Sequence, residues 1–294
     1  GILEVIANID DIVNDQINEI IHNPDFKELE SNWRSLNDLI LNTRRGYSLV
    51  ARKIEGKDPC VIFLGGFRSD MEGTKAQYLS DWCEKNGRSF LRFDYSGHGV
   101  SGGRFEEGTI GQWTQDALDV IDAFSQGPCV LVGSSMGGWI MLRVALAIGT
   151  RVHGLLGIAA APDFTRDLIS RDLSADQRAR LAHEGQIRLT SEYDPDGYVL
   201  TQGFMMDGEA CCLLDAPLEL TVPVRLLQGC DDSEVPWQTA LRLSERLHAT
   251  DVRVHLLKDG DHRLSRPEQL ALMSDTLAEL IQTVESASAK TASD

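Results

Sequence analysis

Gly133-Ser134-Ser135-Met136-Gly137 is the stretch of this 294-residue chain whose residue types and spacing most directly suggest chemistry. It follows an apolar run, Cys129 to Val132, and leads into a helical segment, so the context is strand, G-x-S-x-G, helix. A serine lifted onto such a sharp turn has neighbours whose side chains would collide, and glycines two residues before and after it admit the strained backbone. Ser135, not Ser134, has both glycines at those offsets. The helix starting there points free N–H groups at the site, and the Met136 N–H would face an oxyanion developing on a substrate carbonyl. A serine hydroxyl is a poor nucleophile near neutral pH, so the motif does chemistry only if a base and an orienting acid follow it.

Both follow, in the order serine, acid, histidine. Gly229 to Pro236 succeed the strand-like run Val224 to Leu227, and a carboxylate at the carboxyl end of a parallel strand lies on the active edge of such a sheet. Asp232, three residues after Gly229 and three before Val235, is the expected acid; Asp231 and Glu234 compete with it, and as bystanders they read as turn-forming or solvated carboxylates. His262 follows the last strand candidate within Asp259-Gly260-Asp261-His262 and is the only histidine so placed. His22, His153, His183, His248 and His255 fall in helices, strand edges or an insertion, where surface or packing roles suit them better. In this triad His262 takes the Ser135 proton and returns it to the leaving group, while Asp232 holds the imidazole tautomer. The second oxyanion donor is expected from the loop after the first central strand, at the Phe67 N–H, although Gly65 and Gly66 also fit a plain tight turn. The Gly-rich run Asp94 to Ser101 has neither the lysine nor the Ser/Thr of a phosphate loop, so a structural turn packing below the nucleophile is the better reading.

The elements that must position these groups alternate. Strands are expected at 47–54, 60–64, 89–93, 129–132, 155–159, 224–227 and 252–257, and helices at 75–86, 110–125, 137–148, 238–247 and 267–285. That alternation specifies an α/β fold, a mostly parallel sheet with helices on both faces. The polar stretch 162–217 breaks the rhythm and reads as a helical lid insertion, and the Ser/Ala-rich end 286–294 as a frayed tail. The first 43 residues differ in charge and pattern, with nine Asp or Glu against Lys27 and Arg34. Ile2, Val5, Ile6, Ile9 and onward to Ile21 recur at helical steps, and Phe26, Leu29, Trp33, Leu36 and Ile40 form a second stripe after Asn23 and Pro24. The expected domains are an acidic helical hairpin over 1–43 and a catalytic domain over 44–294.

Bulk properties narrow the partners. A net charge of −17 repels phosphate backbones and anionic membrane surfaces, so nucleic acid is not an expected partner. No apolar run approaches the ~20 residues that span a bilayer. The six cysteines lack zinc-finger or CxxC spacing and read as small core hydrophobes, which fits a reducing cytoplasm and no metal site.

Taken together, the motifs resemble the α/β-hydrolase superfamily across 44–294. The runs Gly73-Thr74-Lys75, Arg92 to Gly97, Val132 to Trp139, Val235-Pro236-Trp237 and Asp261-His262-Arg263 are similar to the mitochondrial palmitoyl-protein thioesterase branch, which also cleaves acyl glucuronides, and to its bacterial relatives. The resemblance implies Ser135, Asp232 and His262 as the triad, a small-molecule or acylated substrate of the fatty acyl thioester or acyl-glucuronide type, and no cofactor. Some relatives of this fold cleave peptides with the same triad, so a serine peptidase is the alternative. Phe204, Met205 and Met206 could line an acyl pocket or form lid core. Separately, Ile20 to Phe26, Leu29-Glu30 and Trp33 to Leu36 resemble a stretch near the start of the large sheath subunit of bacterial type VI secretion systems. That stretch is a small fragment of the sheath subunit and does not imply assembly into a sheath; a natural fusion, a chimera and a coincidental amphipathic hairpin are all open readings, and the alternative function is a secretion-system partner recruited through 1–43 with the hydrolase body as passenger.

Overall fold

A computed structural model of the chain describes residues 38–191 and 194–291, together with Gln16 and Asn23. The chain divides into two units, 1–39 and 40–294. The hairpin expected over 1–43 falls almost wholly outside the described residues. Its last part does not: Leu39–Asn42 is a strand, β1, so Ile40 does not extend the second helical stripe. Past Leu41 the chain turns at once, Thr43 N–H donating to the Tyr47 carbonyl at 2.9 Å with Gly46 at φ +89°, and a turn so close leaves no room for another helical turn.

The larger unit is built on eight strands in the order β1-β2-β4-β3-β5-β6-β9-β10. Here β2 is Ser48–Ile54, β3 Lys57–Leu64, β4 Arg88–Phe93, β5 Cys129–Ser134, β6 Val152–Ile158, β9 Val224–Gly229 and β10 Val252–Leu257. From β4 through β10 the pairs are parallel; β2 runs antiparallel to β4. Parallel neighbours need crossover helices, which cover both faces and force the central strands to be apolar throughout. The last six residues of β3 and all of β5 are accordingly buried.

Alternation then divides each strand between two cores. Val61, Phe63, Val130 and Val132 point to the side covered by α1 (Thr74–Lys85) and α7 (Pro267–Thr291), where Leu79, Leu277, Leu280 and Ile281 meet them. On the other face lie α2 (Ile110–Phe124) and α3 (Met136–Ile148), the latter apolar almost all round and buried along most of its length. Helix α6 (Gln238–Arg246) packs on β9 and β10. Helix α7 runs to Thr291, beyond the expected end near Glu285, because the Ala/Ser/Lys composition there contains nothing that breaks a helix. Among the described residues, no helix is long and apolar enough to cross a membrane.

The insertion between β6 and β9 is only partly helical. A π-helical turn (Thr165–Ser170), α4 (Ala175–Glu184) and α5 (Gln202–Ala210) flank an antiparallel hairpin of β7 (Gln186–Ser191) and β8 (Asp194–Thr201). The all-helical expectation overlooked the alternation that buries Ile187 opposite Leu200.

Candidate active site

Ser135 stands between β5 and α3 at φ +54° and ψ −120°, a region that costs a non-glycine residue of the order of 1–3 kcal/mol. Surrounding contacts enforce it. The Ser135 N–H donates to the Ile158 carbonyl at 3.0 Å, and its carbonyl accepts from Gly138 at 2.8 Å and Ala161 at 3.0 Å. The flanking glycines are required by close approach: a Cβ on Gly133 would lie 2.4 Å from the Gly137 oxygen, and one on Gly137 would lie 2.0 Å from the Leu64 oxygen.

Asp232 and His262 converge on this turn from the next strand ends. His262 Nδ1 lies 2.8 Å from Asp232 Oδ2, and its Nε2 lies 3.0 Å from Ser135 Oγ. A carboxylate only accepts, so Nδ1 carries the proton and Nε2 is left to accept from the serine hydroxyl. The Asp232 side chain is fully buried, which pushes its pKa up, but the His262 hydrogen bond and charge and the Val235 and Glu234 N–H groups outweigh burial and hold it below the usual carboxylate range. Those N–H groups donate to Oδ1 at 2.8 and 2.9 Å, and Gln228 Nε2 donates to Oδ2 at 2.9 Å. Neither competing carboxylate takes the place of Asp232 at Nδ1: Asp231 is exposed, and Glu234 approaches His262 from the opposite ring nitrogen, 3.6 Å from Nε2.

Phe67 and Met136 line the same cavity as Ser135. The loop carrying Phe67 packs directly on the serine, since a Cβ on Gly66 would sit 3.4 Å from Ser135 Cβ. From below, this loop is pinned by the Gly-rich turn Asp94 to Ser101. Met71 N–H donates to Asp94 Oδ1 at 2.7 Å, and Arg68 N–H, at φ +57°, donates to His98 Nε2 at 3.3 Å. His98 is buried among Tyr95, Phe105 and Trp113; burial lowers its pKa to about 4, which leaves Nε2 free to accept.

The cavity measures about 940 Å³. Lid residues Phe164, Leu168, Ile169 and Leu173 give it an apolar side, while Arg68, Lys75 and Arg263 lie around its polar side. Phe204 is lid core, packed on Phe67, Trp113 and Phe164, and Met206 is exposed; neither lines the cavity. Two further residues of the site, Lys75 and Gln228, carry no catalytic motif of their own. Lys75 Nζ donates to the Arg263 carbonyl at 2.6 Å, bracing the His262 loop, and burial lowers its pKa to about 8 against the pull of Asp261. The only signal for Lys75 is the Gly73-Thr74-Lys75 run; Gln228 stands out as the one polar residue interrupting a buried strand end.

Comparison with known proteins agrees with this fold. The model of the alpha/beta hydrolase family matches residues 84–271. Mouse mitochondrial palmitoyl-protein thioesterase ABHD10 is 39% identical over 244 residues, covering 82% of this chain and 81% of its own, and the human protein is 38% identical over 237 residues, covering 80% and 76%. A solved structure of alpha/beta hydrolase domain-containing protein 10 from mouse superposes with a TM-score of 0.78 at 38% identity, covering 84% of this chain and 99% of that one. Est1E from Butyrivibrio proteoclasticus, solved with ferulic acid, shares the fold at 20% identity and a TM-score of 0.71, covering 84% of this chain and 99% of that one. The EvpB/VC_A0108 tail sheath N-terminal domain matches residues 3–55, running past residue 43 into β2. With that sheet order, that turn and those relatives, the chain belongs to the α/β-hydrolase family.

Proposed function

We propose that the chain cleaves carboxylic esters or acyl thioesters through an acyl-enzyme on Ser135. The observation that carries this is the unbroken chain from Asp232 through His262 to Ser135, at 2.8 and 3.0 Å, opening into a cavity with an apolar side. Ser135 Oγ attacks the carbonyl carbon while His262 Nε2 takes its proton. The oxyanion is held by the Phe67 and Met136 N–H groups. Collapse expels the alcohol or thiol, protonated by His262, and water then releases the acid by the reverse sequence. The apolar lid side suits a fatty acyl chain, as the relatives' name palmitoyl-protein thioesterase suggests. Lys75 and Arg263 suit a carboxylate on the leaving group, so acyl glucuronides join fatty acyl thioesters as candidate substrates. The six cysteines, all free thiols, support a reducing compartment such as the cytoplasm.

A fluorophosphonate should label Ser135, and Ser135→Ala should lower ester turnover by about 10³-fold or more. Retained turnover in that variant removes the assignment. A panel of acyl esters, thioesters and peptide amides separates an esterase from a peptidase of the same fold.

The sheath match favours a second reading for the other unit: the acidic segment before β1 recruits a secretion-system partner. Deleting residues 1–38, which spares β1, should abolish that association and leave ester turnover unchanged.

A further inference from the structure

Glu234 is a second carboxylate beside the histidine, on the side opposite Asp232. Its Oε2 lies 3.6 Å from His262 Nε2, its side chain is 42% exposed, and it lines the cavity. Its main chain is held by the acid itself, because the Glu234 N–H donates to Asp232 Oδ1 at 2.9 Å. A gap of 3.6 Å is too long for a good hydrogen bond, but one water about 2.8 Å from each atom spans it. In the resting site Nε2 is engaged by Ser135 Oγ at 3.0 Å. Once Oγ is esterified it has no proton to donate, and Nε2 becomes free to accept from that water.

We infer that Glu234 holds the water that releases the acyl group, acting in deacylation and not in acylation. This rests on the acyl-enzyme reading above. The water donates one O–H to His262 Nε2 and the other to Glu234 Oε2. As its oxygen bonds to the acyl carbonyl carbon, the first proton passes to Nε2. The tetrahedral adduct collapses by breaking the bond to Ser135 Oγ, which takes that proton from His262, and the carboxylic acid departs. Glu234 accepts a hydrogen bond throughout and keeps no proton. Lys75 and Tyr198 line the same cavity and both feel the Glu234 charge, so the carboxylate acts on the site and not on bulk solvent alone.

The test is rapid-quench kinetics of the full chain with a long-chain p-nitrophenyl ester, reading nitrophenol release and, by intact mass, acyl adduct on Ser135. Glu234→Ala should release its first equivalent of nitrophenol within about twofold of the unsubstituted rate. It should then deacylate roughly 10- to 100-fold more slowly, so that acylated Ser135 accumulates. Glu234→Gln, which keeps an oxygen acceptor at that place, should restore much of the loss. Equal slowing of both steps, or equal losses in Ala and Gln, overturns the water-holding role, since charge on the imidazolium would then be the operative effect. Unchanged deacylation in Glu234→Ala overturns it as well. If no adduct forms on Ser135 in any variant while turnover continues, the acyl-enzyme reading falls and takes this inference with it.

Discussion

The strand ends that carry Ser135, Asp232 and His262 and the lid between β6 and β9 sit around one cavity but are held by different means. At the strand ends the geometry is enforced by main chain: Ser135 is clamped by three backbone hydrogen bonds, and Gly133 and Gly137 lie where no Cβ fits. The lid is held by side chains. Asp163 accepts from the Leu213 and Leu214 N–H groups at 2.8 Å each, and Arg166 bridges Asp163, Asp167 and Asp215. Asp207 accepts from the Gly111 N–H at the start of α2, and Phe204 wedges among Phe67, Trp113 and Phe164. Backbone enforcement ties the chemistry to the stability of the whole sheet. Side-chain docking makes the lid's hold a matter of individual residues, each of which can be replaced without touching the sheet.

The sharpest way to break this contrast is Gly137→Ala. A Cβ there meets the Leu64 carbonyl at 2.0 Å, backbone on backbone, in the middle of the sheet. Loss of more than about 4 kcal/mol is expected, read as loss of soluble, cooperatively melting protein. A variant that folds with an unchanged melting temperature would show that the turn is softer than its contacts indicate.

Acid probes the same main-chain support through His98. Its folded pKa of about 4 lies below the unfolded value of about 6.5, so between those pH values the unfolded chain binds a proton that the folded one does not. Stability from this group is therefore full above pH ~6.5, falls as pH drops towards ~4, and levels off below, by about 3 kcal/mol in all. Melting temperature against pH should be flatter across that window in His98→Phe. An identical profile would exclude His98 as the source.

For the lid, Asp163→Asn keeps one acceptor and sets an amide N–H against a buried backbone N–H. About 2 kcal/mol is expected. The loss should be local: trypsin should cut faster at Arg178 and Arg180 of α4, while fluorophosphonate labelling of Ser135 persists. Equal loss of labelling would tie the lid to the body more tightly than its contacts suggest.

The same difference explains what was legible in the sequence. Every body strand except β1, and every body helix, was visible within about six residues, because parallel strands must be apolar runs and their crossover helices must be amphipathic. Ser135 was distinguishable from Ser134 because backbone strain demands glycines at fixed offsets. Asp232, with Glu234 two residues on, was separated by spacing from a glycine and a valine whose neighbours do bond to it. The lid hairpin was hard to read, since only Ile187 and Leu189 mark the alternation of Gln186–Ser191 and its partner strand is opened by Asp, Pro and Gly. So was β1, where Leu39 to Leu41 suits a helix or a strand and only the turn at Gly46 decides. Lys75 escaped for a further reason: its contact with Arg263 is made across the fold, as is the approach of Glu234 to His262, and no local pattern records either.

The smallest effect makes the cleanest comparison, because it repeats the first substitution in the other region. Gly203 lies in the first turn of α5, exposed, with nothing within 4 Å of a Cβ built on it. Nothing resists a methyl group there, and alanine removes backbone freedom from the unfolded chain that glycine must lose on folding. Gly203→Ala should therefore stabilise, by about 0.5–1 kcal/mol, against the loss of more than about 4 kcal/mol expected for Gly137→Ala. Because α5 carries Phe204 into the cluster around Phe67, a stiffer α5 should also slow the lid, lowering trypsin cleavage within α4 without altering Ser135 labelling. A destabilised Gly203→Ala would mean that this turn of the lid bends in use, and that glycine serves motion there as it serves close packing at position 137.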